Sequence, residues 1–357
     1  MRILIQAPNQ VQRALQSLRL IAAICDLEPA LQVDVICNRD VAGLFKASPL
    51  VVNTITSEID SDTIHIAKIW QMVQKLKEAK YERVYHLDIH SFYAFATYFI
   101  GVRHRYGFKS IFGRACSMLY SRTAVFTPAN RKRLTGLRDW LRLALPEASM
   151  IQIRQRCQVV PSLQPRTYDP DFIRRKHGIS ALAPIIVFAA GQGSKSLTKP
   201  APDQTLLHWP SRYFAELSLR YVDQYNAAQT VFMGDIADRP RATETMTMTT
   251  LASHNLCGVT NIAESISIVS TAQICISADP FWLDLARSLQ VTTIDLNESS
   301  SPELALSAIA HAFKEGVKIQ SRNLPELDDL GSDPNNDDPN GDHGSNSGSA
   351  PDTPSVY

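Results

Sequence analysis

Residues 2–37 read RILIQAPNQVQRALQSLRLIAAICDLEPALQVDVIC, and this stretch decides the fold class. Residues 2–7 are a short apolar run typical of a β-strand, and residues 32–37 are a second one. Between them, residues 11–27 carry apolar side chains at helical spacing. Two strands joined through a helix form a parallel pair, because the helix returns the chain to the same end of the sheet. The stretch therefore predicts an α/β protein with a parallel sheet.

The same alternation continues along the chain. In the first half it predicts further strands at 51–56, 81–88 and, edge-like, 103–108, with helices at 63–79 and 111–145. In the second half it predicts strands at 185–190, 230–235, 274–279 and 291–296, with helices at 211–225, 242–253, 261–272, 283–290 and 303–316. Two such series predict two Rossmann-like, doubly wound domains that face each other across a cleft. A length of 357 residues also favours two domains over one.

The domain boundaries follow from composition. Prolines at positions 161, 165 and 170 indicate a linker, so an N-terminal domain is expected at 1–165 and a C-terminal domain at 166–320. From Glu326 to Tyr357 the chain has eight acidic residues and no lysine or arginine, and almost no apolar residues. Because such a segment buries too little apolar surface to offset its ordering entropy, residues 321–357 are expected to be a disordered acidic tail.

The formal net charge is only +1, but the charges are unevenly distributed and one segment is strongly basic. Residues 101–176 contain 16 lysines and arginines against 4 acidic residues. This segment is either a solvated basic face or a surface for an anionic partner or membrane. It contains neither a recognition-helix motif nor an aromatic stacking motif, so no nucleic-acid partner is expected.

Cysteine usage and hydropathy indicate a cytoplasmic protein. The six cysteines are scattered and form no C-x-x-C pair, which argues against a zinc ribbon and a disulfide framework. The N-terminus lacks the pattern of a signal peptide. The longest apolar run, residues 93–102, is about half the length that a membrane span needs. Contact with the membrane is therefore expected to be peripheral, at its inner face.

The loop after the first strand offers two candidate binding residues. Asn9 stands where a residue can cap the following helix or, with the helix N–H groups, bind an anion. Arg13 lies in the first helical turn, where a cation opposes the helix dipole. Its position indicates either an anionic ligand or simple exposure. No Gly-x-Gly is present, so a dinucleotide fingerprint is absent.

The end of the fourth strand reads HLDIH and carries His86, Asp88 and His90. The three side chains share one face if the strand continues. A metal site would need further ligands that the sequence does not indicate, so no metal is expected. Asp88 is predicted either to be a general base with His90 as a nearby donor, or to cap the next helix.

Three loops of the second half also follow predicted strands. In GQGSKSLTKP (191–200), two glycines allow close backbone approach, and the hydroxyl and ammonium groups suit a diphosphate; the candidates are Gly191, Gly193, Ser194, Lys195 and Lys199. Gly234 stands in a similarly placed turn. Asp279 is either a binding carboxylate or the cap of a helix that begins at Pro280.

Several of these stretches, taken in order, resemble glycosyltransferase family nine, the ADP-heptose:lipopolysaccharide heptosyltransferases. MRILIQAPN resembles the family's first strand, and RYGF (105–108) its R-x-G-[FY] segment. HWPSRYFAEL (208–217) resembles W-P-x-x-x-[FW]-x-x-L, and residues 255–279 resemble the run into the nucleotide-binding strand. The resemblance covers about residues 1–315, and it makes Arg105 a further candidate substrate-binding residue.

The resemblance implies a fold of the GT-B type and an inverting transfer that needs no metal or other cofactor. An ADP-linked sugar would bind the C-terminal half, and an anionic lipid-linked core acceptor would bind the N-terminal half. A carboxylate would deprotonate the acceptor hydroxyl. The basic segment 101–176 fits an acceptor that carries carboxylates or phosphates.

The chain departs from the family pattern at three places. In the family, the first loop ends in Gly-Asp, and the resemblance implies that this Asp is the general base. This chain has Gln12 and Arg13 at those two positions. The lysine before H-W-P is Leu207, and only Asp279 remains of D-[ST]-G-x-x-H. Asp88 is therefore the predicted replacement for the base, and Lys195 or Lys199 for the lysine.

These departures leave two main hypotheses open: a divergent but active glycosyltransferase, or a non-catalytic relative that acts as a binding or assembly protein. A sugar-nucleotide epimerase on the same fold is a third, less favoured hypothesis, because no second convincing carboxylate is present.

Overall fold

The computed structural model describes residues 1–57, 66–88, 91–109, 118–125, 136–189, 211–224, 228–249, 252–296 and 307. Two parallel sheets with helices packed on them confirm the predicted α/β fold class. All pairs of neighbouring strands that the structure describes are parallel. None of the described helices is long and apolar enough to cross a membrane.

The first sheet has six strands in the order β3-β2-β1-β4-β5-β6. Their bounds are β1 Arg2–Gln6, β2 Gln32–Cys37, β3 Val51–Thr56, β4 Arg83–His86, β5 His104–Lys109 and β6 Arg122–Val125. The associated helices are α1 Val11–Leu27, α2 Ala42–Ala47, α3 Ile66–Lys77, α4 Ser91–Phe99, α5 Leu137–Ala144 and α6 Met150–Cys157. The strand order reverses beside β1, and ligands of open parallel sheets bind at such a switch point, outside the carboxyl ends of the strands.

The second sheet has five strands in the order β11-β10-β7-β8-β9. Their bounds are β7 Ile185–Ala189, β8 Gln229–Phe232, β9 Ser253–Asn255, β10 Ala272–Ser277 and β11 Thr292–Asp295. The helices are α7 Pro170–Lys176, α8 Ser211–Gln224, α9 Arg239–Thr247, α10 Ile262–Val269 and α11 Pro280–Ser288, and a 3₁₀ turn spans Ile236–Asp238. Every residue of β7 is buried, as expected for a central strand covered on both faces.

The prediction for residues 103–145 was partly wrong. The fifth strand exists, but it is not an edge strand, because β6 pairs outside it with Tyr106 opposite Arg122. The segment predicted as helical, 111–145, contains β6, and its described helix covers only Leu137–Ala144. Pairing with a neighbouring strand overrides the weak helical pattern of this segment.

Two further boundaries also differ from the predictions. The helix predicted at 242–253 ends at Thr247, and Ser253–Asn255 is strand β9 at the edge of the sheet. The proline taken as a linker residue, Pro170, is the first residue of α7, where a missing N–H causes no loss. The helix predicted at 303–316, apart from residue 307, and the tail 321–357 lie outside the described residues. The predicted boundaries between 165 and 166 and between 320 and 321 stay predictions.

The two sheets share one hydrophobic core, because a single cluster of buried side chains includes both Ile3 of β1 and Val187 of β7. Helices α2 and α10 pack closely at Gly43, where an added Cβ would lie 2.9 Å from the Cβ of Ala263. An ion pair of 2.9 Å joins Arg19 of α1 to Asp284 of α11. These contacts connect the two halves of the described chain.

One buried carboxylate ties the amino-terminal part of the first sheet together. Asp34 of β2 has 1% of its side chain exposed. It accepts hydrogen bonds from Arg2 of β1 at 2.9 Å, from Asn53 of β3 at 3.1 Å and from the hydroxyl of Tyr81, just before β4, at 2.7 Å. Burial, followed by the nearby Asp34, raises the pKa of Tyr81. Asp34 therefore links four neighbouring strands of the sheet through one charge.

Candidate functional site

Asp88 lies at the carboxyl edge of the first sheet, two residues beyond the end of β4. Its backbone N–H donates to Oε1 of the buried Gln6 at 3.3 Å, and the N–H of Leu87 donates to the carbonyl of Gln6 at 3.1 Å. These bonds fix the backbone of Asp88 to the end of β1. Its side chain is 30% exposed, so the carboxylate can meet a ligand from solvent.

Arg13 is the third residue of α1 and lies beside Asp88. Its Nη1 is 3.7 Å from Oδ1 of Asp88, and its guanidinium lies 5.5 Å from the ring centroid of the buried Trp140. The prediction of simple exposure is wrong, since only 9% of the side chain is exposed. Burial lowers the pKa of Arg13, and the charge of Asp88 offsets part of that effect. The structure thus brings two of the predicted site residues into one ion pair.

Asn9 does not cap α1. The N-cap position is Gln10, and no side chain caps the helix there. The helix also has no acidic residue in its first turn, so no carboxylate of that turn offsets the helix dipole. Asn9 is half-buried at the same edge as Asp88, and its predicted role in binding stays a prediction.

The strand does not continue through Asp88, as a shared face with His86 requires, because β4 ends at His86. His86 is fully buried, with Nε2 3.1 Å from the hydroxyl of Thr97. Burial, followed by the charge of Arg105, lowers the pKa of His86 to about 3, so the ring is neutral at physiological pH. His90 lies outside the described residues. No group of three or more His, Cys, Asp or Glu side chains suited to a metal occurs in the described part of the chain.

Arg105 occupies the start of β5 and makes contacts within the protein. Its guanidinium donates to the backbone carbonyls of Val102 and Leu119 and lies 5.2 Å from the ring centroid of Tyr98. These contacts hold the chain before β6 against the end of α4. They give Arg105 a structural role, and its predicted role in substrate binding stays a prediction.

Asp279 lies at the carboxyl edge of the second sheet, after β10. Of its two predicted roles, the structure shows the helix cap, because the side chain accepts from the N–H of Phe281 at 2.9 Å; the role in binding stays a prediction. Its own N–H donates to Ser277, whose hydroxyl donates to the carbonyl of Ala189 at the end of β7. Asp279 is 5% exposed, and burial, together with the negative charges of Asp238 and Asp235, raises its pKa to about 6.

Gly234 follows β8 at the same edge and packs against a carboxylate. A Cβ at this position would overlap Oδ2 of Asp238, which accepts from the N–H of Asp235 at 2.9 Å. Asp235 in turn caps the 3₁₀ turn through the N–H of Ala237. The sequence analysis noted the turn at 234–235 but predicted no role for Asp235 or Asp238, although the pattern Gly-Asp-x-x-Asp after a strand could have indicated them. Gly191, Gly193, Ser194, Lys195 and Lys199 lie outside the described residues.

Comparison with known proteins finds a family that is similar to the part of the chain with the second sheet. Residues 184–328 match the family model of glycosyltransferase family 9 (heptosyltransferase). Residues 184–328 are therefore similar to glycosyltransferase family 9. The match begins just before β7 and includes Gly234, Asp279 and the rest of the second sheet.

The likeness extends beyond those residues. Lipopolysaccharide heptosyltransferase 2 of Escherichia coli K12 is 21% identical over 316 residues, which cover 85% of this chain and 84% of the relative. The structure of E. coli ADP-heptose LPS heptosyltransferase II is 18% identical and has a TM-score of 0.65 over 88% of this chain and 99% of the other. A family 9 glycosyltransferase from Veillonella parvula is 12% identical, with a TM-score of 0.59 over 84% and 82%. Both structures confirm the predicted two-domain fold of GT-B type.

These findings confirm the resemblance to glycosyltransferase family 9 that was inferred from the sequence. None of the comparisons favours a non-catalytic relative. The structure also accounts for one departure from the family pattern. Asp284, which stands where the motif has histidine, forms ion pairs with Arg19 at 2.9 Å and Arg287 at 3.7 Å. This residue therefore contributes to the contact between the two halves.

The raised pKa of Asp279 predicts a pH-dependent stability that an asparagine would remove. A carboxyl with an ordinary pKa of 3.8 and a folded value of about 6 binds its proton more tightly when folded. Its contribution is fully present below pH 3.8 and is lost as the pH rises through 6, by about 3 kcal/mol in total. An asparagine at this position would still cap the helix but would not ionise. The free energy of unfolding of Asp279→Asn relative to wild type should therefore rise by about 2 to 3 kcal/mol between pH 4 and pH 7.

Urea unfolding of both proteins at several pH values measures this difference. Asp169→Asn is the matched control, because Asp169 caps α7 before Pro170 in the same way but is exposed. Its difference from wild type should stay nearly constant over the same range. A flat difference for Asp279→Asn would contradict the prediction.

Proposed function

We propose that the chain is an inverting glycosyltransferase that transfers heptose from ADP-heptose to an anionic, lipid-linked acceptor of the lipopolysaccharide core. The family 9 match over residues 184–328 is the observation that carries the proposal. The names of the full-length relatives, which are lipopolysaccharide and ADP-heptose heptosyltransferases, support the choice of donor and acceptor.

The donor would bind at the carboxyl edge of the second sheet. The carboxylates of Asp279, Asp235 and Asp238 repel a diphosphate, so they suit hydroxyl groups of the donor, which donate hydrogen bonds to them. The diphosphate would instead contact the loop after β7, through the backbone at Gly191 and Gly193 and through three side chains of that loop. These are Ser194, Lys195 and Lys199. Gly234, whose missing Cβ leaves room for the side chain of Asp238, would contribute backbone atoms to the donor site in the turn after β8.

The acceptor would bind at the carboxyl edge of the first sheet, near Asn9, Arg13, Asp88 and His90. The basic segment 101–176, with Arg105, attracts an anionic acceptor by its positive charge. Because that acceptor is linked to lipid, the protein would act in the cytoplasm at the inner face of the membrane, in peripheral contact with it.

Asp88 would be the general base of the transfer. Its carboxylate takes the proton of the acceptor hydroxyl while the oxygen attacks the anomeric carbon from the face opposite the diphosphate. The bond from the anomeric carbon to the phosphate oxygen breaks, and ADP leaves with that electron pair. Attack from the opposite face inverts the anomeric configuration. The proton on Asp88 then passes to solvent.

Titration calorimetry with ADP-heptose, followed by a transfer assay on lipopolysaccharide from a heptose-deficient strain, tests the proposal. We expect saturable binding of ADP-heptose, weaker binding of UDP- and GDP-sugars, and release of ADP that depends on the acceptor. Binding of ADP-heptose without any transfer would favour a non-catalytic relative. Absence of binding to all nucleotide sugars would contradict the proposed donor site.

A further inference from the structure

The position of Arg13 is electrostatically unfavourable on three counts. The side chain is 9% exposed, it lies in the first turn of a helix whose dipole repels cations, and that turn contains no acidic residue. A buried cation needs a nearby negative charge or a strong hydrogen-bond acceptor. The carboxylate of Asp88, at 3.7 Å, supplies that charge in the structure.

The side chains of Arg13 and Asp88 differ in how strongly the surrounding protein restrains them. Arg13 packs over the buried ring of Trp140, so its guanidinium is restrained by α1 and α5. Asp88 has a backbone fixed to Gln6 and a side chain that is 30% exposed. The carboxylate can therefore turn away from Arg13 without movement of the backbone, whereas the guanidinium stays in place.

A guanidinium in this setting is suited to a second anion. It presents five N–H donors in a planar fork that matches a carboxylate or phosphate group. If such a group of the acceptor bound Arg13, it would replace the negative charge that Asp88 supplies. Asp88 would then be released beside the bound acceptor as a carboxylate without its cationic partner, which makes it a better proton acceptor.

We propose that Arg13 is a positioning residue that restrains Asp88 until the acceptor binds. The inference rests on the proposed function. In the absence of acceptor, the guanidinium holds the carboxylate in the ion pair and limits its removal of a proton from water. When a carboxylate or phosphate of the acceptor binds Arg13, Asp88 is freed to take the proton of the acceptor hydroxyl. Arg13 thereby suppresses loss of the donor to water.

The step that Arg13 suppresses is hydrolysis of the donor. Asp88 takes one proton from water, the water oxygen bonds to the anomeric carbon, and the bond from that carbon to the phosphate oxygen breaks. The products are free heptose and ADP, and the proton on Asp88 returns to solvent. This side reaction needs no acceptor, so it reports on the state of Asp88 alone.

ADP release from ADP-heptose in the absence of acceptor tests the inference. Arg13→Gln removes the positive charge and should raise the rate of hydrolysis by about 10-fold, because a carboxylate without that cation beside it accepts a proton more readily. The double variant Arg13→Gln/Asp88→Asn should lose that increase. Arg13→Lys retains the charge and should raise the rate less than Arg13→Gln does. A merely structural role for Arg13 would lower the rate in every Arg13 variant.

Arg2→Gln is the matched control, since it removes a different arginine–aspartate pair, with Asp34, at the opposite end of β1. It should leave hydrolysis unchanged. A rate in Arg13→Gln no higher than wild type, with ADP-heptose affinity retained in calorimetry, would overturn the inference while leaving the proposed function intact. An equal increase in Arg13→Lys would also overturn it. Failure of the wild-type protein to bind ADP-heptose would instead overturn the proposed function, and the inference with it.

Discussion

Replacing Asp88 by asparagine should lower the rate of sugar transfer by about 10²–10⁴-fold, which is the usual contribution of a general base. Asparagine keeps the size of the side chain and the backbone bond to Gln6, but it does not accept a proton. The expected loss lies in the turnover number, because the donor is proposed to bind the other sheet. Steady-state kinetics with ADP-heptose and the acceptor, together with calorimetry of donor binding, measure the two quantities separately.

Asp40→Asn is the control for this experiment. Asp40 is an exposed carboxylate that follows β2 on the same edge of the sheet. The variant should transfer sugar at the wild-type rate. Wild-type turnover in Asp88→Asn would show that another group takes the proton, and a loss of folding in Asp88→Asn would be visible as a lowered melting temperature.

Replacing Asp34 by alanine should lower the free energy of unfolding by about 3 kcal/mol. The substitution removes one carboxylate that accepts from Arg2, Asn53 and Tyr81. The buried hydroxyl of Tyr81 and the half-buried guanidinium of Arg2 would then lose a charged acceptor. Since Arg2 is 32% exposed and can regain water, the loss should fall at the lower end of the range for a buried pair.

Chemical unfolding followed by circular dichroism measures this effect. Asp26→Ala is the control, because Asp26 pairs with Arg156 at 3.2 Å but is 61% exposed. Its loss should be under about 1 kcal/mol, as for other surface pairs. Equal losses in the two variants would contradict the view that burial of Asp34 gives its bonds their strength.

Local sequence patterns predicted most of the strands and helices correctly where the signal was long. The helical spacing of 11–27 gave α1 with its observed bounds, and the all-apolar run at 185–189 gave the central strand β7. The strands that the sequence did not predict were short. Strands β6 and β9 have four and three residues, and a segment that short forms a strand because its neighbour offers backbone partners.

The candidate site was predictable only in part. A helix cap was one of the two roles predicted for Asp279, because Asp followed by Pro is a local signal, and the structure confirms the cap. The cap at Asn9 was predicted in the same way and was wrong, since α1 begins one residue later than a cap at Asn9 requires. Local patterns name the residue types suited to a role, but they leave the register of a helix start uncertain by a residue.

The sequence by itself determined the class of the protein: two parallel α/β halves, whose order of segments resembles family 9. Those properties depend on periodicity and short motifs, which are local along the chain. Only the tertiary structure decided that Arg13 is buried against Trp140 and paired with Asp88, 75 residues away in the sequence. It likewise decided that Asp284 joins Arg19 of the other half. Charge pairing and desolvation depend on distances in space, and chain folding alone sets those distances.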